Sequence, residues 1–364
     1  MPDVPDTKIA VFLPNWIGDV VMATPTLRAL RRLYGPNARI VGLMKPYVTE
    51  VLSGTSLLDE IWHYDRESVE AGLRWPAVTW RMFRFRFDVV VLLVNTRRQA
   101  VIAWLARAKK RAGYVRCGRG FFLTHRLYPP RKEKEYTPVS ALDYYLQIAY
   151  ALGAGETAPD MELATTQADE NRANLVSTRL GLRSDGRTVL LNSSGAYGAA
   201  KLWPDSSFAA LGYRIASELD HDVLVVCGPE ECQRARQISQ EANHERVFSL
   251  DEEDVSIGLT KALVRRSRLL VTTDSGPRHF APAFGVPVVS LFGPTDPAWS
   301  DTHYSAETRL HVPLECRPCG ERVCPLEHHR CMNELSVSLV FRSVRDRLNA
   351  RDRGNPVSAP KACS

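Results

Sequence analysis

Two series of short, almost wholly apolar runs, each followed by amphipathic stretches, constrain this chain more than any other feature. Runs such as Ile9 to Leu13 and Val89 to Val94 are far too short to span a membrane and are bounded by turn residues, so they read as strands buried on both faces. The first series places strands at 8–13, 38–43, 60–64, 88–94 and 111–115, with helices at 24–34 and 97–107. The second places them at 188–192, 222–228, 246–250, 269–274 and 287–293, with a helix at 205–219. Alternation of this kind predicts a parallel, doubly wound α/β sheet. Two series within 364 residues predict two such domains, alike in architecture without a strict sequence repeat. A Gly-, Pro- and acid-rich stretch at 153–170 separates them. The expected division is a first domain over 1–165, a linker over 166–186, a second domain over 187–335, a C-terminal helix over 336–350 and a disordered tail over 351–364.

Composition narrows the function. The chain is 45% hydrophobic and 24% charged, a globular balance. Its first residues carry neither a basic n-region nor an apolar h-region, so a cytoplasmic protein is expected. Eight cysteines in a chain of this length do not form a disulfide scaffold. Charge is segregated: between Arg66 and Glu135 there are 17 Lys/Arg against 5 Asp/Glu, an excess of 12, whereas the whole chain carries only +6. Such segregation implies an anionic partner, whether a phosphorylated small molecule, a lipid surface or nucleic acid. Aromatic residues Trp75, Trp80, Phe83 and Phe85 interleave with arginines there, but no nucleic-acid-binding motif accompanies them, so nucleic acid is not expected.

Polar motifs follow the predicted strands, where two parallel-sheet domains in series would present a ligand cleft. Asn15-Trp16-Ile17-Gly18-Asp19 turns the first strand into a helix. Asp19 there is either a helix-start capping residue or a general base facing the cleft. The absence of G-x-G-x-x-G argues against a dinucleotide-dependent dehydrogenase. After the strand at 188–192, a loop of small residues including Ser194 and Gly195 leads to Lys201, which suits backbone N–H groups and one cation to a phosphate. Glu230 and Glu231 follow the strand at 222–228, placed either for a ribose diol or for a helix dipole. Asp274-Ser275-Gly276 opens a further predicted helix, with Pro277 in its first turn and His279 after it, and Gly293-Pro294-Thr295 follows the next strand. Cys316, Cys319, Cys324 and Cys331, with His328 and His329, form a zinc-ligand inventory whose spacing fits no standard finger. A packed, reduced cluster or a redox-labile pair is the stronger reading, and zinc the alternative.

Taken together, Trp16-Ile17-Gly18-Asp19, Lys201-Leu202-Trp203-Pro204, Asp274-Ser275-Gly276 and Gly293-Pro294-Thr295 resemble glycosyltransferase family 9, the ADP-heptose:lipopolysaccharide heptosyltransferases. The resemblance covers most of 8–345, and the tryptophan before Ile17 and the Cys/His-rich segment lean toward heptosyltransferase II. It implies a GT-B architecture, two Rossmann-like domains facing a central cleft, with the acceptor on the first and ADP-heptose on the second. It implies inversion at the anomeric carbon, with no cofactor or metal required. Carried over by position, Asp19 deprotonates the acceptor, Lys201 neutralises the departing diphosphate, Glu230 holds the ribose and Asp274 contacts the heptose. Ser194, Gly195, Ser275, Gly276 and His279 line the donor, and Asn15, Trp16, Asn95, Arg97 and Arg98 face the acceptor. The anionic lipopolysaccharide inner core, with the first heptose as acceptor, then gives the basic stretch a use, through transient contact with the cytoplasmic face of the inner membrane. Pro277-Arg278 departs from the two apolar residues common in the family. Its extra cation either reinforces the diphosphate site or alters donor preference. The rival readings are a GT-B transferase with another nucleotide-sugar and a non-catalytic nucleotide-sugar-binding protein.

Overall fold

The computed structural model describes residues 7–133, 135–195 and 197–352. The chain divides into two compact units, one comprising Met1–Met161 with Ala298–Thr302, the other Glu162–Pro297 with His303–Ser364. The stretch expected to be a tail lies, from 353 onward, outside the described residues.

The first unit is built on six parallel strands: β1 (Lys8–Phe12), β2 (Arg39–Met44), β3 (Glu60–His63), β4 (Val89–Leu92), β5 (Lys110–Tyr114) and β6 (His125–Leu127). Their order is β3-β2-β1-β4-β5-β6. Helices α1 (Ile17–Met22), α2 (Thr24–Tyr34), α3 (Thr49–Leu52), α4 (Trp75–Phe85), α5 (Arg97–Leu105) and α6 (Ala141–Ala151) complete it, with a small hairpin of β7 (Arg131–Lys132) and β8 (Glu135–Tyr136). Ala10, Phe12, Val90 and Leu92 form one core with Val78 and Met82 of α4 and Ala100, Ile102 and Ala103 of α5. The alternate strand residues Ile9, Val11, Val89 and Val91 are buried as completely. Both faces of the sheet are therefore covered, which is why these strands read as continuous apolar runs.

The second unit repeats the plan: β9 (Thr188–Asn192), β10 (Asp222–Val226), β11 (Val247–Ser249), β12 (Leu269–Thr273), β13 (Val288–Leu291) and β14 (Glu307–Leu310) lie in the order β11-β10-β9-β12-β13-β14, all parallel. Its helices are α7 (Gln167–Leu180), α8 (Asp205–Leu219), α9 (Cys232–Ala242), α10 (Ile257–Arg266), α11 (Phe280–Ala283), α12 (Arg330–Asn333) and α13 (Val337–Asp352). In each sheet the strand order reverses once, between β1 and β4 and between β9 and β12. Loops leaving neighbouring strands there run to opposite sides, opening a crevice at the carboxyl ends.

The segment expected to be a linker instead holds α7. Thr166 and Asp169 close a reciprocal capping box, with the Asp169 amide donating to Thr166 Oγ1 at 3.2 Å and the Thr166 amide to Asp169 Oδ2 at 2.8 Å. Glu170 then pairs with Arg265 and Arg266 of α10, so the acidic residues that suggested a solvated connection start a docked helix. Trp203 anchors the start of α8. It is fully buried, its indole donates to Leu335 O at 2.9 Å, and its ring meets Phe208 edge-on at 4.9 Å. Trp203→Ala leaves a large cavity and an unpaired carbonyl and is expected to cost about 3–5 kcal/mol in urea unfolding.

Candidate active site

In the first unit the polar residues gather around the switch between β1 and β4. Trp16 is the N-cap of α1, extended and with no side-chain capping bond, and Asp19 stands in the helix's first turn. Asp19 is therefore not the N-cap but a first-turn acid, a place the helix dipole favours. Its Oδ1 accepts a hydrogen bond from the Tyr145 hydroxyl of α6 at 2.9 Å. Burial first, and then the Asp19 charge, drive that hydroxyl well above the ordinary phenol range, so Tyr145 remains a donor. Beside it Tyr144 stacks on Tyr114 at 3.6 Å and donates to Asn95 Oδ1 at 3.3 Å, and Arg119 Nη2 reaches the same oxygen at 3.0 Å. Arg119 is fully buried and also holds Tyr114 O at 2.7 Å, and burial lowers its guanidinium to about 10. Asn95 is thus already engaged in an internal network. Trp16, Arg97 and Arg98 are exposed, and Asn15 O accepts from the Tyr47 hydroxyl. Tyr145, Tyr144 and Arg119 carry no local signal of a site, because their partners lie far away in sequence.

In the second unit three strand ends converge. Lys201, in the turn Ala199–Lys201 after β9, and Asp274, after β12, are each about nine-tenths buried. Lys201 Nζ lies 2.5 Å from Asp274 Oδ2 and 2.9 Å from Asp274 O, and Thr295 Oγ1, after β13, donates to Oδ2 at 2.7 Å. Burial alone would raise the Asp274 carboxyl, but Lys201 and Arg278 outweigh it and hold it at about 2. Asn192 Nδ2 donates to Thr272 Oγ1 and Ser275 Oγ, both at 2.8 Å, and Thr273 Oγ1 donates to Ser194 O, fastening the β9 and β12 loops together. Glu231, rather than Glu230, is built into the loop, accepting from Gly195 N at 3.2 Å and Gly228 N at 3.0 Å. Glu230 is exposed and lines an open groove of about 700 Å³ with Trp203, Pro204, Gln233 and Arg234.

The turn after β12 is shorter than the helix expected there. Ser275 and Gly276 open only the single turn Gly276–His279 and the four-residue α11, so little helix dipole reaches an anion there. Arg278 is fully buried, with Nη1 3.6 Å from Asp274 Oδ1 and with Glu307 of β14 bonded through Nε at 2.7 Å and Nη2 at 3.0 Å. His279 is buried, and desolvation above all, then Arg278, pushes it down to about 3, leaving a neutral ring. His279 Nδ1 and Ser193 Oγ, both beside the convergent loops, are buried with no hydrogen-bond partner among the described residues.

The cysteine-rich segment braces these loops from behind. His329 Nε2 lies 2.7 Å from Ala200 O, the Ala200 amide donates to Arg322 O at 3.0 Å, and Arg317 donates to Gly293 O and Thr295 O. Gly198 approaches the same segment so closely that a Cβ would stand 2.4 Å from Arg322 O. Cys316, Cys319, Cys324 and Cys331 line one small cavity of about 30 Å³ with His328 and His329. Among the described residues no three His, Cys, Asp or Glu side chains are grouped to hold a metal.

Residues 77–330 match glycosyltransferase family 9 (heptosyltransferase). The lipooligosaccharide heptosyltransferase 2 of Campylobacter jejuni is 25% identical over 93% of this chain and 98% of its own length. A family 9 glycosyl transferase from Veillonella parvula superposes with a TM-score of 0.80 at 20% identity, covering 94% of this chain and 97% of its own. The Escherichia coli ADP-heptose lipopolysaccharide heptosyltransferase II superposes with a TM-score of 0.76 at 19% identity, covering 95% and 100%. These likenesses carry the fold, the paired Rossmann-like units of GT-B enzymes, and the family match spans most of the sequence, so the chain belongs to glycosyltransferase family 9.

Proposed function

We propose that this glycosyltransferase moves heptose from ADP-heptose to the first heptose of the lipopolysaccharide inner core, with inversion and without a required metal ion or other cofactor. The reading rests above all on the Lys201–Asp274 pair, a buried cation and carboxylate at the convergence of three strand ends, beside two buried polar atoms that have no partner among the described residues. A diphosphate can share Lys201, and a sugar hydroxyl can donate to Asp274, without leaving either charge stranded. The names of the Campylobacter jejuni and Escherichia coli relatives supply the sugar, and that of the latter the adenine nucleotide.

In this scheme Asp19 takes the proton of the acceptor hydroxyl as its oxygen attacks the anomeric carbon. The bond from that carbon to the diphosphate oxygen breaks, and Lys201 balances the charge gathering on departing ADP. Tyr145 orients the Asp19 carboxylate through their 2.9 Å hydrogen bond. Glu230 binds the ribose, Asp274 the heptose hydroxyls, and Ser194, Gly195, Ser275, Gly276 and His279 surround the diphosphate. Asn15, Trp16, Asn95, Arg97 and Arg98 meet the acceptor. The enzyme works at the cytoplasmic face of the inner membrane, in transient peripheral contact with it; no helix among the described residues is long and apolar enough to cross one.

Asp19→Ala is expected to bind the ADP-sugar as the wild type does and to lose about 10²–10⁴-fold in transfer rate. Transfer at the wild-type rate would remove Asp19 from the role of base. Lys201→Ala should weaken both donor binding and turnover. The pair also has a pH signature in folding. The Asp274 carboxyl is held at about 2, below its unfolded value of 3.8, so its contribution is full above pH 4 and is lost as pH falls through 2. Urea unfolding should show the wild type losing roughly 2 kcal/mol more than Asp274→Asn between pH 5 and 2.

A further inference from the structure

Helices α4 and α5 bury one face each in the core of the first unit, and their opposite faces are not what a protein surrounded only by water needs. Trp75, Trp80 and Phe83 of α4 and Trp104 and Leu105 of α5 are exposed, Trp80 by 61%, and Phe121 in the adjoining turn Gly120–Phe122 by 77%. Several of these rings are linked across the two helices and the turn. Helices α4 and α5 pack against each other, Arg107 lies 5.4 Å from the Phe83 ring, and Trp104 stands 5.8 Å from Phe122, itself 5.5 Å from Phe121. The same stretch is almost uniformly basic: from Ala71 to Leu123 there are 12 Lys/Arg against a single acid, Asp88, which pairs with Lys109. Arg84 covers the Trp80 ring at 4.9 Å, so cation and aromatic are presented together.

We propose that this outer face of α4, α5 and the Gly120–Phe122 turn seats the first unit on an anionic lipid bilayer. Indole and phenyl rings partition to the boundary between headgroups and acyl chains, and guanidiniums beside them reach lipid phosphates and carboxylates at the same depth. A cluster of exposed rings marks an interaction surface, and the cations beside it select an anionic partner. Lipid fits better than nucleic acid, because α4 presents Trp80 together with Arg84 and no base-reading motif accompanies them in the sequence. The inference rests on the reading that the acceptor is lipid-anchored, and adds to it the surface by which the enzyme reaches that acceptor.

The full-length protein would be sedimented with phosphatidylcholine vesicles, with and without phosphatidylglycerol, and with a duplex oligonucleotide as competitor. Expected is binding to the anionic vesicles alone, weakening as salt rises from 0.1 to 0.5 M. The double substitution Trp80→Ser with Phe83→Ser, and separately Arg84→Glu, should each lower the partition coefficient by about tenfold or more. Transfer to a short, lipid-free acceptor saccharide should be unchanged in both, which also shows that they fold. Failure of the wild type on that saccharide would count against heptose transfer and leave the vesicle result standing by itself. Equal binding to neutral vesicles, no binding to anionic ones, undiminished binding by both folded variants, or displacement by the duplex at lower concentration than by lipid would each overturn the proposal.

Discussion

The second unit's polar end is organised by one buried ion pair. A lysine and an aspartate at this depth must find partners or neutralise, and Lys201 and Asp274 find each other, with Thr295 completing the carboxylate. Because the three residues follow β9, β12 and β13, a single interaction ties three loops together at the carboxyl edge of the sheet. The bonds from Asn192 to Ser275 and from Thr273 to Ser194 reinforce the same knot. Remove Lys201 and Asp274 loses its nearest cation, Arg278 standing 3.6 Å away, so the fold and the proposed chemistry draw on the same two side chains.

Around that pair, further buried contacts hold the loops in place. Arg278 and Glu307 form a second buried pair that fastens the turn after β12 to the edge strand β14. The cysteine-rich segment supports the Lys201 turn and the Gly293–Thr295 loop by backbone hydrogen bonds, and Gly198 permits its close approach. Its cysteines line the brace and contribute nothing to the chemistry proposed for the donor. In the first unit the fully buried Arg119 joins the half-buried Asn95 and Tyr144 in a polar network beside the Tyr145–Asp19 bond.

How much of this was legible in the sequence follows from how each element is stabilised. Strands β1, β2, β4, β9, β10, β12 and β13 are buried on both faces, so burial wrote itself as continuous apolar runs that needed no partner to be recognised. Strands β6 and β14 lie at sheet edges and carry His125, Arg126, Glu307 and Arg309, whose polarity hid them. Helix α7 looked like a linker because an acidic helix start and a solvated connection share a composition, and only the arginines of α10 distinguish them. The positions of Lys201 and Asp274 after strands were visible, but not that they pair, since 73 residues separate them. Tyr145 was invisible for the same reason, 126 residues from the carboxylate it holds. Arg278 follows a strand as a site residue would, but the distant Glu307, 29 residues on, holds it inside the fold.

The central claim, an adenine-nucleotide donor site built on the Lys201–Asp274 pair of a family 9 glycosyltransferase, meets its most direct test in calorimetric titration of the purified protein with ADP, UDP and GDP in the presence of EDTA. The account predicts measurable binding of ADP, at least about tenfold tighter than of UDP or GDP, with the metal removed. Preference for UDP or GDP would contradict the assigned donor, and binding of none of the three would contradict the site itself.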